Sequence, residues 1–254
     1  MNEAFFEPKE TARQVAQMVV LDSVGSTNDY VKTNLAELAD FSMVVTAHQT
    51  HGRGRQGREW IARAGETLAL SFLVPVCSAP SISWLPLVSG ASLVHSLHQV
   101  GLEQTSLKWP NDVLFGTQKL AGILCEKVAE NRVVVGVGLN VSFPLENPPS
   151  AGAISLSNIA PEGAAVLDAV VSGFVSTLRQ WLVTLEGDVV HRGRELVEPV
   201  MATLGKRVRV VEISGGSWQG VAEGLDGDGH LMVRTAVPNE LRTVVASDIE
   251  HLRQ

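Results

Sequence analysis

Nine consecutive residues, Gly52-Arg53-Gly54-Arg55-Gln56-Gly57-Arg58-Glu59-Trp60, hold three glycines and three arginines and close on an aromatic. Arginine presents a planar, permanently charged fork that matches phosphate and carboxylate oxygens. Glycine lets the backbone reach positive φ and approach a ligand closely. The tryptophan adds a flat face on which a ring can stack. Together they read as a loop that receives a phosphorylated ligand; the bland alternative is an arginine-rich turn in solvent.

Four further clusters carry groups able to do chemistry. Gly25-Ser26-Thr27-Asn28 places hydroxyls and an amide at a strand-to-helix turn, either to meet a ligand or simply to cap the helix. Gln49 stands three residues ahead of the Gly/Arg loop. Lys108-Trp109-Pro110-Asn111-Asp112 joins a cation, a locked backbone and a carboxylate able to take Mg²⁺ through oxygen, with a plain β-turn as the alternative. Lys119-Leu120-Ala121-Gly122-Ile123-Leu124 sets one ammonium at the head of an apolar strand, where it can also merely snorkel. Gly136-Val137-Gly138-Leu139-Asn140-Val141 lacks the strand-to-helix context and last glycine of a dinucleotide fingerprint, so that reading is rejected.

Elements able to hold these groups follow from the hydrophobic pattern. Strands are predicted over 19–21, 43–47, 67–74, 107–109, 113–115, 120–128 and 132–141. Glycines inside the last of these suggest close approach by a ligand or another backbone. A helix is predicted after Ser26 and Thr27, a second from Trp84 to a stop at Gly101, a long one over 164–185 and a short one over 194–200. Beyond Leu204 short alternating runs at 207–211, 220–225, 231–234 and 242–245 are divided by Gly215-Gly216 and Asp226-Gly227-Asp228-Gly229. Regular short strands with tight turns predict a small barrel of roughly 50 residues. The boundary falls near 201–205, giving a first domain over 1–202 and a second over 203–254.

Composition narrows the class. The 254 residues are 45% hydrophobic and 19% charged, enough apolar matter for a full-sized core and little for long disordered tracts. A net charge of −7 makes the Gly/Arg loop a local basic island, favouring a small anionic ligand over a nucleic-acid backbone. Cys77 and Cys125 have no Cys-x-x-Cys or His partner at metal spacing and read as buried free thiols. With neither an apolar signal core in residues 1–14 nor a run of about 18 apolar residues, a cytoplasmic protein with no membrane partner is expected.

In this order and at these spacings the clusters resemble the biotin protein ligases, from about Gly25 to Asn140, and the terminal barrel fits that family's last domain. The resemblance implies an α+β fold: a mixed β-sheet catalytic domain packed with helices, of the class II synthetase and biotin/lipoate ligase type, plus a small SH3-like β-barrel. It implies a two-step ligase that makes biotinyl-5′-AMP from biotin and ATP with Mg²⁺, then passes biotin to a lysine of a carrier domain. By the same resemblance Ser26, Thr27, Asn28, Gln49, Gly52, Arg53, Gly54, Lys119, Gly122 and Leu124 bind biotin, with Leu124 and Trp60 around its tail. Arg55, Arg58, Trp60, Asn111, Gly138 and Asn140 take ATP or the adenylate, Asp112 carries the metal, and Lys119, Asp112 and Arg55 are the catalytic residues. Trp218 and Arg234 or Arg242 are expected to reach toward the cleft from the barrel.

Some members of that family begin with a helix-turn-helix domain. Only about 18 residues precede the first predicted strand here, too few for three helices, so a ligase without repressor function is expected, with no nucleic-acid partner, as a monomer or weak homodimer. A lipoate or octanoate ligase shares the fold and adenylation logic; the polar Ser26, Thr27, Gln49 and Arg53 favour a ureido ring over a plain acyl chain. An RNA-binding protein is the reading from another class, and the charge of −7 opposes it.

Overall fold

The structure is a computed structural model and describes residues 6–61, 63–76, 79–160, 166–213, 215–245 and 247–252. Its first part runs α1 (Lys9–Gln14), β1 (Met18–Leu21), α2 (Thr27–Thr33), β2 (Met43–Thr46), β3 (Thr67–Pro75), α3 (Ala79–Gln99), β4 (Thr105–Lys108), β5 (Asp112–Phe115), β6 (Gln118–Ala129) and β7 (Arg132–Asn140). Then come α4 (Leu156–Ile159), α5 (Leu167–Thr184) and α6 (Val189–Val197). Last are β8 (Arg207–Val211), β9 (Ser217–Leu225), β10 (Leu231–Arg234), β11 (Leu241–Val244) and β12 (Asp248–His251). The long helix is described over Leu167–Thr184; Ala164, its expected start, lies outside the described residues, as does Cys77. Helices α1 and α4 and strand β12 are additions to the sequence expectation.

Strands β1 to β7 form one mixed sheet in the order β1-β2-β3-β7-β6-β5-β4, with β1 and β2 parallel and the other neighbours antiparallel. Alternation along the central strands explains its two faces. Leu68, Leu70, Phe72 and Val74 of β3 and Val133, Val135, Val137 and Leu139 of β7 are buried on one face, in a core with α3 and α5. Each large side chain sealed there contributes about 1.5–3 kcal/mol. The alternate positions of the same strands are small, Ala69 and Ser71 on β3 and Gly136 and Gly138 on β7, and they turn to the other face. There α2 covers only the end bearing Val44, Leu73 and Val134. The rest is an open floor.

Strands β8 to β12 form a second, antiparallel sheet in the order β11-β10-β9-β8-β12. It shares the main core, since Val208, Val210, Ala222, Leu225, Leu231 and Val233 belong to the same buried cluster as α3. Two indoles bind it to the first part, Trp84 from α3 and Trp109 from the loop after β4. Trp84 Nε1 donates to Gly227 O at 2.9 Å and Trp109 Nε1 to Gly229 O at 3.1 Å, at the turn between β9 and β10. Arg194 adds a bond to Leu225 O at 2.6 Å. No described helix is long and apolar enough to cross a membrane.

Candidate active site

The open floor lies beneath a cavity of about 350 Å³. Register fixes its rows. Lys108 pairs with Asp112, Asp112 with Gly122, Gly122 with Gly138 and Gly138 with Ala69, one row across five strands. Ser71, Gly136 and Leu124 make a parallel row two residues along. The glycines of β7 do admit a close approach, and what approaches is protein. A Cβ at Gly136 would collide with the Asn28 amide, and one at Gly138 with the Trp60 indole.

The polar end of the cavity is built by two loops lying side by side. Val24 N donates to His48 O at 3.1 Å, Thr50 N to Val24 O at 2.9 Å and His51 N to Gly25 O at 2.7 Å, so Gly25–Asn28 lies against Gln49. Ser26 caps α2, its hydroxyl accepting from Asp29 N at 3.4 Å, and it lines the cavity as well. Gln49 Oε1 accepts from Thr27 N at 2.9 Å and Thr27 Oγ1 at 3.2 Å, and Ser71 Oγ lies 2.8 Å from Thr27 Oγ1. Asn28 Nδ2 donates to Glu126 Oε2 at 2.7 Å and to Leu124 O at 3.3 Å. These contacts fix which way each amide faces.

Glu126 is the anchor of that network. It also takes Lys32 Nζ at 2.6 Å and Arg53 at 3.3 Å, and Arg53 pairs with Asp29 as well. Burial raises the Glu126 pKa, but hydrogen bonds from Lys32 and Asn28 and the charges of Lys32 and Arg53 more than offset it, holding it below the ordinary range. Sequence reasoning missed Glu126 and Ser71. Their signal was periodicity, because both fall on the cleft face of strands otherwise apolar at alternate positions.

The Gly/Arg segment is a small hairpin. Trp60 N donates to Gly52 O at 2.9 Å and Gly54 N to Arg58 O at 2.7 Å, around a tight turn over Arg55–Gly57. Gln56 at φ 57° and Gly57 at φ 72° take left-handed conformations there. Gly52 is not among the residues lining the cavity, and a Cβ there would crowd Trp60 O at 2.5 Å and Gln49 Nε2 at 2.6 Å. Arg58 pairs with Asp248 of β12. Arg55 is half-buried, and that burial lowers its pKa. Trp60 lies across Gly122 and Gly138 with its Nε1 buried and unbonded.

Lys119 and Asp112 meet at the centre. Lys119 Nζ stands 2.7 Å from Asp112 Oδ1 and 5.2 Å from the centre of the Trp60 ring. The Lys119 backbone is clamped, its N–H on Gly152 O at 2.7 Å and its carbonyl accepting from Ile154 N at 2.9 Å. Asn140 belongs to this clamp. Its Nδ2 bonds Lys119 O and Ile154 O, each at 3.1 Å, and the residue is buried outside the cavity, so the expected adenine contact does not match its position. Asn111 lines the cavity, with its Nδ2 on Ile123 O at 2.6 Å.

From the second sheet, Asp248, Ile249 and Glu250 line the cavity. The expectation for Trp218, Arg234 and Arg242 is thereby corrected. Trp218 donates to Glu212 and carries Arg242 on its ring, while Arg234 pairs with Glu223. Strand β12 faces the cleft because Thr203 joins it to the Lys108–Asp112 loop. The Thr203 hydroxyl accepts from Trp109 N at 3.0 Å and lies 3.0 Å from His251 Nε2. Burial, with Lys108 and Lys206 nearby, lowers the His251 pKa to about 4, so a neutral ring accepts the threonine proton.

A sheet floor with glycines at its centre, polar amides at one end and cations suited to phosphate above it fit a ligase that activates a small acid with a nucleotide. Comparison with known proteins agrees. The Biotin/lipoate A/B protein ligase family matches residues 20–142, and the Biotin protein ligase C terminal domain matches residues 203–252. A biotin--[acetyl-CoA-carboxylase] ligase of Mycobacterium tuberculosis is 38% identical over 251 residues, covering 93% of this chain and 90% of that protein. The Aquifex aeolicus biotin protein ligase in complex with biotin and ATP superposes with a TM-score of 0.70 at 26% identity, over 93% of this chain and all of that one. A point mutant of the Aquifex enzyme in complex with biotin, also 26% identical, gives a TM-score of 0.75 over 93% of this chain and 99% of that one. The chain belongs to the biotin protein ligase family.

Proposed function

We propose that this chain activates biotin with ATP to biotinyl-5′-AMP and transfers the biotinyl group to a lysine of a biotin carboxyl carrier domain. One observation carries the reading: groups from four separated segments, 26–28, 49–60, 108–112 and 119–124, face a single cavity. The biotin complexes of the Aquifex relatives and the family match favour biotin over the lipoate alternative. The protein acts in the cytoplasm, as residues 1–202 for catalysis and 203–254 as an SH3-like unit that completes the cleft.

The biotin carboxylate attacks the α-phosphorus, and the bond to the bridging oxygen breaks to release pyrophosphate. A carrier lysine amine then attacks the mixed anhydride and AMP leaves. Neither step uses an enzyme nucleophile. Ser26, Thr27, Asn28 and Gln49 hold the ureido ring, with Arg53 behind them, and Leu124 and Trp60 flank the tail. Lys119 bridges the biotin carboxylate and the α-phosphate, reducing their repulsion and stabilising charge in the transition state. For that it gives up Asp112, which orients the incoming amine. Arg55 and Arg58 close on the phosphates, and the unbonded Trp60 Nε1 is a donor for a ligand oxygen.

Asp112 fits Mg²⁺ in the usual manner of a lone carboxylate sharing the ion with substrate phosphates. Among the described residues no cluster of three metal-ligating side chains exists to hold it independently. Bound there, the ion neutralises phosphate charge. The test is incubation with biotin, MgATP and a carrier domain, followed by intact mass of the carrier. A gain of one biotinyl group is expected, and an unmodified carrier, or equal labelling with lipoate, would overturn the assignment.

A further inference from the structure

The cavity holds a cation whose work is unaccounted for. Lys108 ends β4, the edge strand, and lines the cavity on the far side of Asp112 from the glycine floor. Its neighbours' charges are already matched. Asp112 is held by Lys119, Asp248 by Arg58, and Glu250 by Arg209 at 3.3 Å. Among the described residues neither Lys108 nor Arg55 has an ion pair or side-chain hydrogen bond. The lowered pKa of His251, to which the Lys108 charge contributes, puts that ammonium within electrostatic reach of β12. A half-buried lysine with no partner costs stability through lost solvation, a cost that an incoming anion offsets.

Its position specifies the anion. The polar quartet Ser26, Thr27, Asn28 and Gln49 sits over β3, β7 and β6, while Lys108 is three strands beyond Gly138, about 14 Å away across the sheet. Lys119 and Asp112 lie between them. Displacement at phosphorus runs in line, with entering and leaving oxygens on opposite sides. A carboxylate arriving from the quartet therefore expels its leaving group toward Lys108.

Building on the adenylation reading above, we propose that Lys108 is the leaving-group cation of that step, binding the β- and γ-phosphates of ATP and the pyrophosphate formed from them. As the carboxylate oxygen bonds to the α-phosphorus, the bond to the α,β-bridging oxygen breaks and its electron pair departs on pyrophosphate. The ammonium stabilises that developing charge without giving up a proton. A compact charge on a flexible stem can follow the group as it moves, which a rigid guanidinium fork does less well. Transfer of biotin from a finished adenylate involves no pyrophosphate and makes no use of Lys108.

The test compares wild type with Lys108→Ala and Lys108→Arg in two assays on the full chain. Biotin-dependent exchange of labelled pyrophosphate into ATP reads the first step in both directions. Transfer from chemically prepared biotinyl-5′-AMP to a carrier domain reads the second alone. Lys108→Ala should raise the KM for pyrophosphate at least ~10-fold and cut kcat/KM for ATP comparably, with transfer from the adenylate within about twofold of wild type. Lys108→Arg should recover part of the exchange. Unchanged exchange in Lys108→Ala, or an equal loss in both assays, would overturn the assignment, the second outcome marking a purely structural lysine. If Lys108→Ala fails to fold, the same comparison is read on Lys108→Arg and Lys108→Gln. A wild-type protein that shows no biotin-dependent exchange overturns the functional reading as a whole.

Discussion

Glu126→Gln keeps the shape of the side chain under the polar quartet and removes its charge. The carboxylate takes three donors, Lys32 at 2.6 Å, Asn28 at 2.7 Å and Arg53 at 3.3 Å. Glutamine offers one acceptor oxygen, and its NH₂ must then face a donor. Lys32 and Arg53 are 32% and 41% exposed, so water replaces much of what they lose and each contributes below about 1 kcal/mol. Asn28 is only 5% exposed and has no such recourse, so its lost charge-assisted bond costs about 2 kcal/mol. If the Asn28 amide turns to satisfy the glutamine, its oxygen no longer faces Ser71 and the donor pattern offered to the ureido ring changes. Loss of one hydrogen bond to the ring is worth up to about 1.4 kcal/mol, so we expect the KM for biotin to rise about 10-fold, with the KM for ATP little changed. Pyrophosphate exchange at varied biotin measures the first, and varied ATP the second. The native pKa of Glu126 lies below its ordinary 4.5, so its stabilisation is present above pH 4.5 and is lost as pH falls through the native value. The fall in melting temperature of wild type below pH 4.5 should therefore be shallower in the variant. A biotin KM within threefold of wild type, with melting unaltered, would refute the role given to Glu126.

Lys119→Ala should slow adenylate formation by ~100-fold or more, and Lys119→Arg should not restore it; pyrophosphate release within threefold of wild type would remove Lys119 from the chemistry. Arg55→Ala or Arg58→Ala should still form adenylate but let it escape, which mass mapping of labelled lysines on added albumin detects; normal synthesis without bystander labelling would refute the closing of these arginines on the phosphates. His251, with its pKa lowered to about 4, favours the native state fully above pH 6.5, and that contribution declines as pH falls from 6.5 to 4. Discounted for partial exposure it amounts to about 1–2 kcal/mol, so His251→Gln should melt with less pH dependence in that window, and an unchanged dependence would contradict burial of the ring beside Lys108 and Lys206. A chain ending near Thr203 should lose its cooperative melt, because the large apolar faces of Trp84 and Trp109 would lose the sheet that covers them; a folded, biotin-binding truncation would show that the second sheet is dispensable to the core.

The strands of the main sheet were legible because the β-branched runs and glycine turns are local signals, while the four chemical segments stood out by residue type and drew their joint reading from an order and spacing that resemble the biotin protein ligases. What sequence could not carry were contacts that join distant positions. Helix α1 is six residues, too short to stand by propensity, and forms because the Asp168 carboxylate receives Glu10 N at 2.7 Å and Thr11 N at 3.0 Å. Strand β12 reads Asp-Ile-Glu-His, with little apolar alternation, and exists through pairing with β8. Asn140 looked like a ligand contact because it ends a glycine-bearing strand, yet its amide faces two backbone carbonyls from segments that only the fold brings near. Gly136 and Gly138 were rightly marked as points of close approach, but no local rule said that Asn28 and Trp60 would be the groups approaching.

Because the two sheets share one buried cluster and the cleft has β12 as a wall, the energetics of ligand binding cannot stay local. Whatever binds between Lys119 and Asp248 favours the closed assembly over any state in which β8–β12 has swung away, by RT ln(1 + [L]/Kd). Slow-exchanging amides of the second sheet should thus report occupancy of a site to which that sheet supplies only three residues. Acid activation and the seating of the second sheet thus become thermodynamically linked through the indole bonds of Trp84 and Trp109.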